Sequence, residues 1–311
     1  MCVKPTTLFL RLLLLLLLLL LGSSHAMAAI QIHDGRKTHS FEQVPQRVVV
    51  LNWDLLEQVL ELEVTPVGAP NLPGYREWVV LPAVPDSVVD IGTRAEPNLE
   101  TIAALKPEVI LASSPQQDLI TTLERIAPVI YLPNFEQQDN AAQIAIQQFK
   151  TLAQLFDKTD LAEQKLADMA QRFAELNQQL QQALGSPLPS VVVMRFSNPT
   201  SVFLYGENST THYVLEQLGL AEALPQPARQ WGIIQKRLNA LQHVKQGYVL
   251  YILPFAEEEK IKQSILWKAM PFVRQGRVNS VRSVWSYGGA MSLRYTAEAV
   301  TESLLEVAPK S

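Results

Sequence analysis

Apolar positions along the chain follow two alternating rhythms. Arg47 to Asn52, RVVVLN, is a nearly unbroken β-branched run, the pattern of a strand buried on both faces. Leu55, Leu56, Val59 and Leu60 then recur at helical spacing, with Asp54 placed to cap them. An extended TPVGAP follows. DIGTRAEPNLETIAALKPEVILAS, from Asp90 to Ser113, repeats the unit. Pro97 suits a first helical turn. Leu99, Ile102 and Ala103 share a face, Lys106-Pro107 ends the helix, and Val109 to Ala112 reads as a buried strand. Leu119 to Ile126 reads as a further helix and Pro128 to Leu132 as a further strand. Strands and helices alternating over short links predict a parallel sheet covered by helices.

The middle of the chain differs. Asn140 to Leu184 contains neither glycine nor proline. Ile144, Phe149, Leu152, Ala153 and Phe156 form one helical stripe. Leu161, Leu166, Met169, Ala170, Phe173, Leu176, Leu180 and Leu184 form a second, with Asp157 to Asp160 between them. The second helix, about 25 residues and roughly 37 Å long at 1.5 Å per residue, can join two lobes. Alternation resumes after Gly185-Ser186-Pro187. SVVVMRF and SVFLYG are strands around an SNPT turn. Asn208 or Ser209 can cap a helix carrying Val214, Leu215 and Leu218, and GYVLYIL is a buried strand. A helix is expected around Glu257 to Met270, then the strand RVNSV and a last helix from Ser292. The predicted architecture is α/β. Two α/β lobes with mainly parallel sheets, residues 29–157 and 186–311, are joined by one long α-helix over 158–185, with the ligand cleft between them.

Residues 1–28 stand outside this pattern. Lys4 and Arg11 lead into the apolar run Leu12 to Leu21, and Ala26-Met27-Ala28 has the small residues of a cleavage site. A signal peptide cut after Ala28 is expected, with a mature protein outside the cytoplasm. The one cysteine, Cys2, is lost with it, which leaves no thiol and no disulfide. The chain has 26 Lys and Arg against 30 Asp and Glu, a formal charge of −4. The charges are dispersed, which argues against a nucleic-acid partner. Beyond the leader no apolar run is long enough to span a bilayer.

Phosphate-cradling and nucleophile-elbow motifs are absent from the sequence. Of the histidines left after the leader, no two have zinc-ligand spacing. Ser209 and His212, in GENSTTHY, admit two readings: a nucleophile–base pair of a secreted hydrolase, or a helix start with a capping serine. The cap is preferred, because nucleophile and base usually come from distant segments. The aromatic residues are more informative. Trp53 directly follows a strand, Trp78 lies in the loop NLPGYREWVVLP, Trp231 in RQWGII, and Trp285 with Tyr287 in VWSYGG. Strand ends face the ligand crevice in open α/β sheets, so these rings can line an apolar cleft. Trp267 reads as core. Arg94 is a cation that the local scaffold does not require.

RVVVLNW, DIGTRAEPNLETIAALKPEVIL, RIAP, VFLYGENS, LWKAMPFVRQGRV and VWSYGGAMS together resemble the periplasmic ferric-hydroxamate (ferrichrome-binding, FhuD-like) siderophore-binding proteins. These belong to the substrate-binding class with a rigid interlobe helix (class III). The resemblance spans nearly all of the mature chain. It implies a monomeric periplasmic carrier that delivers a ferric siderophore to an inner-membrane ABC permease with its cytoplasmic ATPase. Iron(III) would be held by the siderophore's oxygens, with no metal ligand and no cofactor from the protein. It implies that Arg94 donates to the iron-bound hydroxamate oxygens, and that Trp231 and Trp285, with Tyr287, line the cleft together with Trp53 and Trp78. The family's second donor, a tyrosine after the next strand, is missing from ASSPQQDLI, where Ser113, Ser114 or Gln116 can stand in. Asp118 or Glu124 on one lobe and Glu207 or Glu216 on the other are candidates for docking to the permease. A catecholate or citrate-type chelate, haem or a cobalamin is the alternative cargo. A more anionic cargo would call on further cations, for which Arg76, Arg195 and Arg294 are available.

Overall fold

The computed structural model describes residues 29–136 and 139–309. The expected signal peptide and its cleavage site lie outside the described residues. A hairpin of β1 (Ile30–His33) and β2 (Thr38–Phe41) opens the chain. The first lobe follows as β3 (Val48–Val50), α1 (Trp53–Glu61), β4 (Gly68–Ala69), α2 (Leu72–Trp78), β5 (Val89–Asp90), α3 (Leu99–Ala104) and β6 (Val109–Ala112). A 3-10 turn over Ser114–Leu119 then runs into α4 (Ile120–Leu123), β7 (Val129–Tyr131) and α5 (Ala141–Leu155). The sheet order is β5-β4-β3-β6-β7 and every pairing is parallel.

Helix α6 (Thr159–Leu184), 26 residues long, leads to the second lobe. There β8 (Val191–Asn198), β9 (Ser201–Tyr205), α7 (Thr210–Gln217), β10 (Ile233–Arg237), β11 (Tyr248–Ile252), α8 (Glu258–Gln263), α9 (Ile265–Lys268), α10 (Pro271–Arg274), β12 (Val278–Val281) and α11 (Ala290–Glu306) succeed one another. The order is β10-β9-β8-β11-β12. The β8-β11-β12 half is parallel, while β8-β9-β10 is an antiparallel meander.

Strand alternation shows how the lobes are joined. In β3, Val48 and Val50 face one core while Val49 faces another; in β8, Val191 and Val193 part from Val192 and Met194 in the same way. One face of each sheet therefore has a core of its own. The other two faces share a single core, filled by Phe149 and Leu152 of α5, Phe173 and Leu176 of α6, and Leu293 and Val300 of α11. The lobes are halves around one helical layer, and separating them would expose that core.

Polar bonds reinforce the seam. Trp53, Glu57 and Glu61 lie four apart on one side of α1. The Trp53 ring lies 5.1 Å from that of Trp285. Glu57, fully buried, accepts from the Ser292 N–H (2.6 Å), the Gly289 N–H (3.2 Å) and the Ser292 hydroxyl. Glu61 accepts from the Tyr295 hydroxyl and from Lys165 of α6 (2.6 Å). A glutamate of the first lobe thus caps the last helix of the second. The approach is close enough that a Cβ on Gly289 would lie 2.2 Å from Gln58, which explains the Gly-Gly pair before α11.

Several expected boundaries shift. Asn52, not Asp54, is the N-cap residue of α1, and Asp54 is buried in its first turn. Asn98 caps α3, so Pro97 precedes the helix. The helix expected at Leu119 begins at Ser114 as a 3-10 turn. The Glu257–Met270 helix is broken at Ser264, whose extended backbone and side chain start α9, and it stops before Pro271. Ala170 points to solvent rather than into the stripe of α6. Strand β10 was not expected; it sets Trp231 before a strand rather than between two helices.

Candidate ligand-binding cleft

Each strand of the first lobe delivers a residue to one crevice from its carboxyl end. Trp53 follows β3, Asn71 follows β4, Arg94 follows β5, Pro115 opens the 3-10 turn after β6, and Phe135 follows β7. From the second lobe come Arg195 and Phe196 of β8, Phe203 and Tyr205 of β9, and Trp285 and Tyr287 after β12. The crevice has a larger chamber of ≈ 480 Å³ and a smaller one of ≈ 200 Å³. Arg94, Trp285 and Tyr287 line both.

The loop that presents Arg94 is locally determined. Gly92 takes φ +93°, which favours glycine. Asp90 accepts from the Gly92 N–H (2.9 Å) and the Leu72 N–H (2.8 Å). Thr93 accepts from the Glu96 N–H, and Asn98 caps α3 through the Thr101 N–H. The G-x-R-x-E-P-N stretch is a closed turn with the arginine at its crest. From the next loop, the fully buried Gln116 donates to the Arg94 carbonyl (2.6 Å) and accepts from the Ser113 N–H (3.0 Å).

The Arg94 guanidinium carbon lies 4.1 Å from the Trp53 ring centroid and 5.5 Å from that of Trp285. Both are cation–π distances. Trp53 is 3 % exposed and donates to the Pro70 carbonyl (2.9 Å), so it serves mainly as a floor for Arg94. Beneath it, burial pushes the Asp54 carboxyl up to about 6, while the Leu55 N–H, Ser113 and the Arg94 charge pull it back. Burial lowers the arginine's own pKa, and Asp54 opposes this. Arg94 is thus a half-buried cation with a weak counter-charge behind it.

The expected substitutes for the missing tyrosine are not in the cleft. The Ser114 hydroxyl donates to the Asn134 carbonyl (2.6 Å) and accepts from the Asn134 N–H (3.1 Å). Ser113 bonds Asp54 at 3.4 Å, and Gln116 holds the Arg94 loop. Ser114 therefore leaves the set of ligand contacts, because its polar atom is already satisfied. The phenol that shares both chambers with Arg94 is Tyr287. Burial raises its pKa, which keeps its proton in place for donation.

Of the remaining predicted residues, Trp78 and Trp285 are half-buried walls of the larger chamber. Trp231 is 41 % exposed, lines the smaller chamber and takes φ +65°, a strained conformation for a non-glycine residue. Its backbone N–H donates across the cleft to the Phe135 carbonyl (3.1 Å). Arg195 emerges as a second cleft cation, 5.1 Å from the Trp78 ring and 5.7 Å from that of Trp285. Its signal in the sequence was a lone charge inside the apolar strand VVVMRF. Arg76 instead pairs with Asp86, and Arg294 with Glu298.

Asp118, Glu207 and Glu216 are exposed. Glu124 is held by Lys37 (2.7 Å) and Arg36 (3.4 Å), which lower its pKa, Lys37 foremost. Ser209 accepts from the His212 N–H as the cap of α7, while the His212 ring lies against Glu216 and Glu222. The serine hydroxyl therefore serves the helix end. No group of three or more His, Cys, Asp and Glu among the described residues could hold a metal ion. No described helix is long and apolar enough to cross a membrane.

The profile of the periplasmic binding protein family matches residues 48–284, from the first strand of the first lobe to the residue before Trp285. The chain belongs to this family. Among solved structures it resembles FhuD from Vibrio cholerae bound to Fe3+-Desferal. The two are 72 % identical with a TM-score of 0.84, and the match covers 85 % of this chain and 99 % of the other. Among curated relatives it is 29 % identical over 262 residues to the iron(3+)-hydroxamate-binding protein FhuD of Escherichia coli, covering 84 % of this chain and 87 % of that protein. It is 30 % identical over 271 residues to the Fe(3+) dicitrate-binding periplasmic protein FecB of the same organism, covering 84 % of each. These family members are named as binding proteins.

Proposed function

We propose that this family member is the periplasmic carrier of a ferric hydroxamate-type siderophore, received in the cleft and passed to an inner-membrane ABC permease. The observation that carries this reading is the placement of Arg94 at the junction of two aromatic chambers, stacked on Trp53 and lining the cleft. Ferric iron prefers six oxygen ligands, all of which a siderophore supplies. The protein then meets only polarised oxygens and a carbon skeleton. Arg94 gives charged donors to the oxygens, Tyr287 gives the phenol in place of the absent tyrosine, and Trp78, Trp231 and Trp285 cover the skeleton. The relatives that bind iron(3+)-hydroxamate or hold Fe3+-Desferal support the same cargo class.

The same reading takes residues 1–28 as the export signal, 29–157 and 186–311 as the lobes, and 158–185 as the connector of a monomer. It takes Asp118 with Glu207 and Glu216 as the acids that meet basic residues of the permease. Glu124, already paired, has the weaker claim. Titration with ferric hydroxamates should quench tryptophan fluorescence, and Arg94→Ala should raise Kd about 10- to 100-fold, the worth of a charged hydrogen bond of roughly 1.5–3 kcal/mol. An unchanged Kd in that variant would remove Arg94 from the site. A folded protein that no ferric hydroxamate quenches would refute the cargo.

A further inference from the structure

Arg195 differs from Arg94 in its surroundings. It is 9 % exposed, in the carboxyl-terminal half of β8. Its Nη2 donates to the Val284 carbonyl (2.7 Å), and its Nε–H has no hydrogen-bond partner among the described residues. Trp78 and Trp285 flank the guanidinium. A buried cation is costly unless an anion or a full set of acceptors meets it. No such anion lines the larger chamber: its walls hold two arginines and no aspartate or glutamate. The acid whose charge acts on Arg94, Asp54, is buried in the first turn of α1 and does not line the chamber. A chain of net charge −4 thus encloses a cationic chamber.

We infer that the chamber beside Arg195 is a subsite for a carboxylate arm of the chelate. The preferred cargo is then a ferric hydroxamate that bears a free carboxylate, ahead of one that bears an ammonium tail. The inference rests on the ferric-hydroxamate reading above. On that reading Arg94 meets the iron-bound oxygens common to all such chelates, and Arg195 reads the charge of the tail. A guanidinium edge suits a carboxylate, and low dielectric around two tryptophans strengthens the attraction.

The test compares two ligands with one iron-binding core: the ferric complex of desferrioxamine B, which ends in a primary ammonium, and its N-succinyl derivative, which ends in a carboxylate. Both are titrated by tryptophan fluorescence into the full-length mature protein at low salt. The succinyl form should bind about tenfold more tightly. Arg195→Gln should bring the two affinities together, whereas Arg94→Gln should weaken both alike. Equal affinities in the wild type, or preference for the ammonium form, would overturn the subsite while leaving the hydroxamate reading intact. Failure of both ligands to bind would overturn the hydroxamate reading itself. Arg195→Gln also loses the bond to Val284 and could misfold; the wild-type comparison decides without it.

Discussion

Replacing Glu57 with alanine should unlock the two halves of the molecule. The carboxyl is fully buried and accepts from two N–H groups and one hydroxyl at the start of α11. Truncation leaves two backbone donors dry, at about 1–3 kcal/mol each. The deleted methylene adds roughly 0.8 kcal/mol. Relief from burying an acid offsets part of this, because burial pushes Glu57 up to about 8 despite its donors, with the Glu61 charge adding to the push. A net loss of about 3 kcal/mol follows, or roughly 5 °C in Tm for a chain of this size. Urea unfolding followed by far-ultraviolet circular dichroism measures it. A loss below about 1 kcal/mol would refute the idea that Glu57 holds the seam.

The same group gives a pH signature. The folded pKa of about 8 lies above the ordinary 4.5, so between these values the folded state binds the extra proton. The stability contributed is fully present below about pH 4.5 and is lost as pH rises through about 8. Asp54, raised to about 6 from 3.8, has mostly finished titrating by pH 7. The urea midpoint should therefore fall between pH 6.5 and 9 in the wild type and fall less in Glu57→Gln, which keeps a neutral side chain. Parallel profiles would refute the assignment.

Gln116→Ala should loosen the Arg94 turn and raise the siderophore Kd about 3- to 10-fold, without altering the quench at saturation; an unchanged Kd would show that the turn holds itself. Trp231→Gly should weaken binding while Tm holds or rises, since glycine relieves a left-handed residue worth about 1 kcal/mol of strain. A lowered Tm would mean that the ring supports the fold. Small-angle scattering curves of empty and loaded protein should superimpose, because the shared core would have to open for a hinge motion; marked compaction on loading would contradict this.

Residues whose role is local were readable in the sequence. The short helix and buried strand after Arg94 follow from local pattern, so Arg94 stood out as a cation they do not need, although Asn98 rather than Pro97 marks where that helix starts. Trp285 follows from a strand end; Trp78, read as part of a loop, instead closes helix α2, which Asn71 caps. What remained hidden depends on partners far along the chain. Ser114 looked like a free donor because its acceptor, the Asn134 carbonyl, lies 20 residues away. Glu57 looked like an ordinary helix acid because Ser292 is 235 residues away. Arg195 announced itself only as a charge within β8; that it faces Trp78 follows from the opposition of the lobes.

The seam and the cleft are one substructure. Helix α1 starts in the cleft with Trp53, and one turn later Glu57 caps α11. The loop leading into that helix carries Trp285 and Tyr287, which face Arg94. Pulling the lobes apart would move Trp285 off Trp53 and strip Glu57 of its donors in the same step. The cleft is therefore held in shape by bonds that do not involve the ligand, and binding needs little reorganisation. A site built this way is expected to show little lobe closure on loading. On the proposed carrier reading, the difference between loaded and empty protein is expected at the rim, where the exposed and strained Trp231 is bonded through its backbone to Phe135 of the opposite lobe.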